Sequence, residues 1–209
     1  MTRGYRRRMG IPEGIGVIDL MIAPPFRDTK RTYQFLRSNL RDKESLEEFD
    51  FPAQYMFKDV PHPEPGDDPV AFLLGQMDRF GIEKGMLGVS FREGPEADAL
   101  RALRTHPDRF FGSFEVNPNA GMDGVRDLVR AYEELGIKAA TAFPAGLNPQ
   151  VPINDAKFYP LYSKCIELDI PICVCGGVPG PRVPFAPQDR KSTRLNSSHV
   201  ALSRMPSSA

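Results

Sequence analysis

Net charge, a long apolar run and an even set of cysteines are all missing from this chain, and histidine is scarce. Lys plus Arg and Asp plus Glu both number 27, so no global field draws the chain to nucleic acid. No window approaches the roughly 18 apolar residues of a membrane span, so no membrane partner is expected. The three cysteines, Cys165, Cys173 and Cys175, form no disulfide framework and read as reduced thiols. The arginine-rich start, MTRGYRRRMG, has the charge of a signal peptide's first region. Pro12, Glu13 and Asp19 break the run behind it, and no small-residue cleavage site follows. The expectation is a cytoplasmic protein. Histidine is limited to His62, His106 and His199.

What is present is ordinary for a globular chain, with 41% hydrophobic and 26% charged residues. The exception is the end. DRKSTRLNSSHVALSRMPSSA (189–209) has no aromatic residue and no apolar periodicity, a disorder-like composition. Residues 189–199 and 203–209 also resemble, in one reading frame, the direct translation of a common short-read sequencing adapter; the other reading is a flexible tail. The expected organisation is therefore residues 1–188 as the N-terminal portion of a single domain cut near Gln188. Residues 189–209 are expected to be adapter-derived and disordered. Such segments are left out of fold reasoning, and without this one the charge balance tips acidic.

Within 1–188, strand-like and helix-like segments alternate. Val17–Ile22 is an apolar, β-branched run that predicts a strand covered on both faces. Residues 28–40 carry Tyr33, Leu36 and Leu40 at helical spacing, and a polar, proline-rich loop spans about 41–67. DDPVAFLLGQMDRFG predicts a helix with Asp68 as N-cap, Pro69 in the first turn and Gly81 as its stop. Its expected buried stripe is Val70, Leu73, Leu74, Met77 and Phe80. Strands follow at 85–90, 110–116, 137–143 and in DIPICVCGG. Between them lie a short helix stopped by Pro107, a helix capped by Asp123, and one over about 157–168. Those last two are expected to bury Val125, Leu128, Val129, Tyr132 and Leu135, and Phe158, Leu161, Tyr162, Cys165 and Ile166. Strand starts near 85, 111, 137 and 170 give the rhythm of βα units with parallel strands. No glycine-rich phosphate turn follows the first strand, which disfavours an open dinucleotide-binding sheet. The fold class expected is α/β, a (β/α)8 TIM-type barrel truncated after about the fifth strand.

Four segments, in order, resemble the amidohydrolase-related family of metal-dependent hydrolases, in the branch of aminocarboxymuconate semialdehyde decarboxylase. They are QMDRFGIEKGMLGVS, HPDRFFGSFEVNPN, YEELGIKAATAFP and FYPLYSKCIELDIPICVCGG. The resemblance implies a barrel with its active site at the strand C-terminal ends and a divalent metal such as zinc. It also implies a small carboxylated, ring-derived substrate that is hydrolysed or decarboxylated, and it permits a homo-oligomer. Members of the family carry an acidic-x-His-x-His motif on the first strand. Here the matching residues run Asp19-Leu20-Met21-Ile22-Ala23, so Met21 and Ala23 stand in the imidazole slots. The fifth-strand histidine position holds Cys175. Zinc needs about three or four N, S or O ligands, so no cofactor is supported by these residues and no metal ligand is assigned.

The candidate catalytic residues are Asp19, a pocket carboxylate or a structural acceptor, and Cys175, which shares strand parity with Cys173. No histidine is placed to activate either thiol, which favours small core residues. Candidate substrate contacts are Arg27 as an anion anchor, Met21, Asn117 before Pro118, and Phe143 at the end of its strand. His106 reads as a helix C-terminal residue and His62 as solvated. Phe49, Phe51, Tyr55, Met56 and Phe57 would form a lid or a subunit contact. Two functional expectations stand: a fragment of an amidohydrolase-related enzyme, hydrolase or decarboxylase, or an inactive barrel that binds a small molecule or a protein partner.

Overall fold

A computed structural model describes residues 15–26, 32–37, 40, 47, 64, 66–91, 97–175 and 201–203. Arg27, His62, His199 and the five apolar residues of the proposed lid lie outside the described residues. The strands are β1 (Ile18–Asp19), β2 (Lys84–Val89), β3 (Phe110–Glu115), β4 (Ala139–Ala142), β5 (Ile172–Val174) and β6 (Ala201–Ser203), in that order across one sheet. The first five are parallel, as in a truncated (β/α) barrel. The helices are α1 (Gln34–Arg37), α2 (Pro69–Phe80), α3 (Ala97–Thr105), α4 (Met122–Leu135) and α5 (Tyr159–Glu167). Among the described residues no helix is long and apolar enough to cross a membrane. Two compact units divide the chain, one of Met1–Arg27 with Pro61–Ser113, the other of Asp28–Val60 with Phe114–Ala209.

In the first unit, α2 follows its local signals. The Asp68 carboxylate accepts from the Val70 N–H at 3.1 Å, Pro69 opens the helix, and Gly81 ends it at φ 69°. A left-handed φ is strained for any residue with a Cβ, which is why glycine stops the helix there. Arg101 of α3 hydrogen-bonds the same Asp68 and holds its carboxyl down at about 2. Val70, Leu73 and Met77 are buried, while Leu74 and Phe80 are half-buried. Burying such side chains contributes roughly 1.5–3 kcal/mol each. Leu87 and Val89 of β2 are buried as well, and Ser113 Oγ donates to the Leu87 carbonyl at 3.3 Å.

The first strand departs from expectation. Only Ile18 and Asp19 pair with β2, in the register Ile18↔Lys84 and Asp19↔Gly85, and Ile18 and Met21 are 55% and 69% exposed. The run is therefore neither as long as Val17–Ile22 nor covered on both faces. Asp19 itself is the physical cause. Its Oδ1 accepts the Met21 N–H at 2.9 Å, a local turn that competes with the strand ladder. Pro24 and Pro25 then supply no donors to resume it.

In the second unit, α4 buries Gly124, Val125, Leu128 and Ala131 and ends at Gly136. Tyr132 is 37% exposed, so the stripe is centred one residue earlier than expected. Asp123 is not the cap either. Gly121 holds the N-cap position without a side-chain bond, and Asp123 pairs with Arg126 within the first turn. On α5 and the short 3-10 turn before it, Phe158, Leu161 and Cys165 are buried, but Ile166 is 61% exposed. β4 and β5 pair as Ala140↔Ile172, Thr141↔Cys173 and Ala142↔Val174. Ala201–Ser203 lies antiparallel on β5, with Ile172↔Ser203, Cys173↔Leu202 and Val174↔Ala201. These three residues thus differ from the disorder expected of 189–209. The free backbone groups along an edge strand accept whatever extended segment reaches them.

Candidate active site

In the second unit, three strand ends come side by side. The Val116 N–H donates to the Thr141 carbonyl at 2.8 Å, and the Cys175 N–H to the Ala142 carbonyl at 2.9 Å. In a parallel ladder each such bond sets the donor beside the residue after the acceptor. Val116 therefore lies beside Ala142, and Cys175 beside Phe143. Two rows follow: Glu115, Thr141 and Cys173, then Asn117, Phe143 and Cys175, one step closer to the C-terminal ends. Alternation along each strand puts both rows on one face. Burial agrees on β3 and β4, where the intervening Val116, Ala140 and Ala142 are buried while Glu115 and Asn117 are exposed and Thr141 and Phe143 half-buried; on β5 Cys175 is half-buried, but Cys173 is buried like its neighbours. Asn117, Phe143 and Cys175, three of the candidates, are thereby brought into one row.

The loops behind these ends are held by side chains. Asn117 Oδ1 accepts from the Asn119 N–H at 3.0 Å and caps a 3-10 turn, Pro118–Ala120. α4 approaches that turn so closely that a Cβ on Gly124 would stand 2.5 Å from the Asn117 carbonyl oxygen. Asn119 Nδ2 donates to the Pro149 carbonyl at 2.7 Å, and Lys157 Nζ donates to Asn119 Oδ1 at 3.1 Å. The loop after β3 is thus clamped to the loop after β4. Lys157 is exposed and has a neutral amide as its partner.

The thiols do not form a reactive pair. Burial raises the Cys173 thiol above its usual range and pushes that of Cys165, on α5, up to about 11, and the thiolate is the nucleophile. None of the three cysteines is in a disulfide, and Cys175 is the least buried.

In the first unit, Asp19 ends β1 half-buried, and Met21 is exposed on the bend beyond it. Because the strand stops at Asp19, Met21 is not its partner in a two-residue strand repeat. The HPDRF residues sit at the opposite ends of the strands. The His106 carbonyl accepts from the Arg109 and Phe110 N–H groups, both at 3.0 Å. Arg109 donates to the carbonyls of Glu83 and Ile82 and to the Asp78 carboxylate, at 3.0, 3.2 and 2.8 Å. An open cavity of about 440 Å³ there is lined by Asp78, Glu83, Lys84, Asp108 and Arg109 among others. The cavity thus lies at the strand N-terminal ends, the face that in barrels serves stability rather than chemistry.

Glu115, Asn119 and Lys157 were not singled out by the sequence reading. For Glu115 the available signal was a carboxylate on the open parity of a strand whose flanking residue, Val116, is apolar. The other two depend on a contact between residues far apart in sequence.

A family model described as amidohydrolase matches residues 33–201. The chain belongs to the amidohydrolase family. Three solved structures resemble it. A 5-carboxyvanillate decarboxylase from Novosphingobium aromaticivorans, bound to manganese and 3-methoxy-4-hydroxy-5-nitrobenzoic acid, is 19% identical with TM-score 0.50, over 76% of this chain and 50% of that one. An uncharacterised TIM-barrel protein from Bordetella bronchiseptica is 22% identical with TM-score 0.49, over 80% and 58%. A 2,6-dihydroxybenzoate decarboxylase from Rhizobium is 17% identical with TM-score 0.47, over 87% and 54%. This amidohydrolase-family chain spans about half the length of the solved structures it matches. No curated protein matches it.

A divalent metal, which the family implies, does not fit the donors described. Met21 offers a soft thioether and Ala23 no donor at all. Among the described residues no three His, Cys, Asp or Glu side chains converge on a point.

Proposed function

We propose that residues 1–188 are the N-terminal portion of a longer amidohydrolase-fold enzyme, followed by an adapter-derived segment. In this reading the intact protein decarboxylates or hydrolyses a small, ring-derived carboxylic acid. The observation that carries the reading is the row Asn117, Phe143 and Cys175 at the C-terminal ends of parallel strands, in a chain of this family. Phe143 supplies an apolar wall for a ring, and Asn117 a side-chain N–H. Arg27 pairs with the substrate carboxylate. Cys175 completes the row. Asp19 is the candidate to give a proton to the ring carbon as its bond to the carboxylate breaks and carbon dioxide leaves, and Met21 is a candidate apolar contact. The resemblance to a 5-carboxyvanillate decarboxylase supports this substrate class.

The replaced imidazole positions favour a second reading, a barrel that binds its small molecule without turning it over. The test is to sequence the source DNA across the codon for Gln188, express the reading frame found, and measure carbon dioxide release from a panel of hydroxybenzoates. Release above the uncatalysed rate supports the enzyme. Saturable binding without release supports the non-catalytic barrel, and neither one overturns both. Genomic DNA that itself encodes DRKSTRLNSSH removes the adapter reading.

A further inference from the structure

We propose that the outer edge of β5 is a docking site for the β5 of a second copy of this chain, and that Ala201–Ser203 is a displaceable cap on it. The proposal concerns the 209-residue chain and does not depend on the catalytic reading above. β4 occupies one side of β5. The Ala140 N–H donates to the Pro171 carbonyl and the Cys175 N–H to the Ala142 carbonyl, both at 2.9 Å. Backbone groups alternate sides along a strand, so the N–H and C=O of Ile172 and Val174 turn to the outer edge. There the register is Ile172↔Ser203, Cys173↔Leu202 and Val174↔Ala201. The outer two pairs are therefore hydrogen-bonded and the central pair, at Cys173, is not. The cap is three residues long, short against the about five or six of a common strand. It runs antiparallel to β5, whereas β4 on the other side runs parallel. The edge thus accepts an antiparallel strand.

A second β5 meets the same requirement. Two copies related by a two-fold axis through the sheet pair these strands antiparallel, the sense Ala201–Ser203 already takes. Centred on Cys173, such a pairing bonds Ile172 of each copy to Val174 of the other and satisfies every outward N–H and C=O of both residues. A contact of this kind closes at two copies. The two Cys173 residues then face each other as a non-bonded pair, with Cα atoms about 4.5 Å apart. A disulfide spans roughly 4.4–6.8 Å between Cα atoms, so these thiols report the register. Charge and proline are what blunt an edge, and Ile172–Val174 carries neither, whereas β1 ends on Asp19. One strand at a time fits on the edge, so cap and second copy exclude each other. The chain tethers the cap to β5 at an effective concentration on the order of millimolar, which keeps the unaltered protein single when dilute.

Light scattering over a dilution series of the 209-residue chain tests this. The unaltered protein should be a monomer at micromolar concentration. The double variant Ala201→Pro/Ser203→Pro removes the cap N–H groups that reach β5 and should give a concentration-dependent dimer. Adding Val174→Pro, which deletes an outward donor and leaves the bonds to β4 in place, should restore the monomer. Copper(II)–phenanthroline supplies a second readout. It takes one electron from each of two thiols as their protons leave, and the sulfurs join. In the double variant the link should map to Cys173 of both copies, and Cys173→Ser should remove the link without removing the dimer. The position of the link decides the matter even if Val174→Pro unfolds the chain. A double variant that stays monomeric, grows beyond a dimer, or links through Cys165 or Cys175 overturns the proposal. An unaltered chain that already dimerises when dilute overturns the role of the cap.

Discussion

The two ends of β3 are built from opposite materials. Before its first residue, His106 and Arg109 are committed to internal bonds. The His106 carbonyl serves two backbone N–H groups, and the Arg109 guanidinium serves two carbonyls and a carboxylate. At its last residue and just beyond stand an exposed carboxylate and an exposed amide, Glu115 and Asn117. One end is tied into the fold by charged and backbone hydrogen bonds, and the other presents polar side chains to solvent. Resemblance to a family therefore carries different information at the two ends. The HPDRF segment reports architecture, whereas a departure at the strand end changes chemistry.

Substitutions can pull this contrast apart. Arg109→Ala should have the largest effect, a loss of about 1–2 kcal/mol in urea unfolding, because the Glu83 and Ile82 carbonyls and the Asp78 carboxylate lose one partly exposed charged partner together. Ligand binding by the folded fraction should not change. Asn117→Ala should cost about 1 kcal/mol, the usual worth of such a cap, while weakening ligand binding beyond what the stability loss explains. If both substitutions change only stability, the two ends are not functionally distinct. The smallest energetic perturbation is alkylation. At neutral pH iodoacetamide should modify Cys175 about tenfold faster than Cys173 or Cys165, whose buried thiols are held neutral; mass spectrometry of timed digests gives the order. Equal rates at Cys173 and Cys175 would mean the strand end is no more open than the strand interior.

The same contrast explains what was legible in the sequence. α2 could be read because all its signals are local: Asp68 at the cap, Pro69 in the first turn, Gly81 in the left-handed stop. The parallel βα rhythm could be read because each strand and helix carries its own apolar pattern. β1 was misjudged because a side chain, Asp19, takes the Met21 N–H and ends the strand, and apolar pattern does not register that competition. The α4 cap was assigned to Asp123 by residue type, yet Gly121 takes the position and Asp123 pairs with Arg126. Asn117 and Phe143 could be placed at strand ends because each closes a strand-like run, and Cys175 because it holds the family's fifth-strand histidine position. The clamp from Lys157 through Asn119 to Pro149 was invisible, since it joins loops that only the ladder between their strands brings together.

The register of β4 against β5 has a consequence for how the protein is made. Thr141 meets Cys173 across a single helical crossover, so every backbone bond of that ladder has been synthesised by the time Cys175 leaves the ribosome. This parallel pairing must close a sizeable loop before it is rewarded, and the crossover helix shortens the flexible part of that loop. The β4–α5–β5 unit can close on the nascent chain while translation is still in progress. The row that ends in Phe143 and Cys175 is then set as soon as that unit closes.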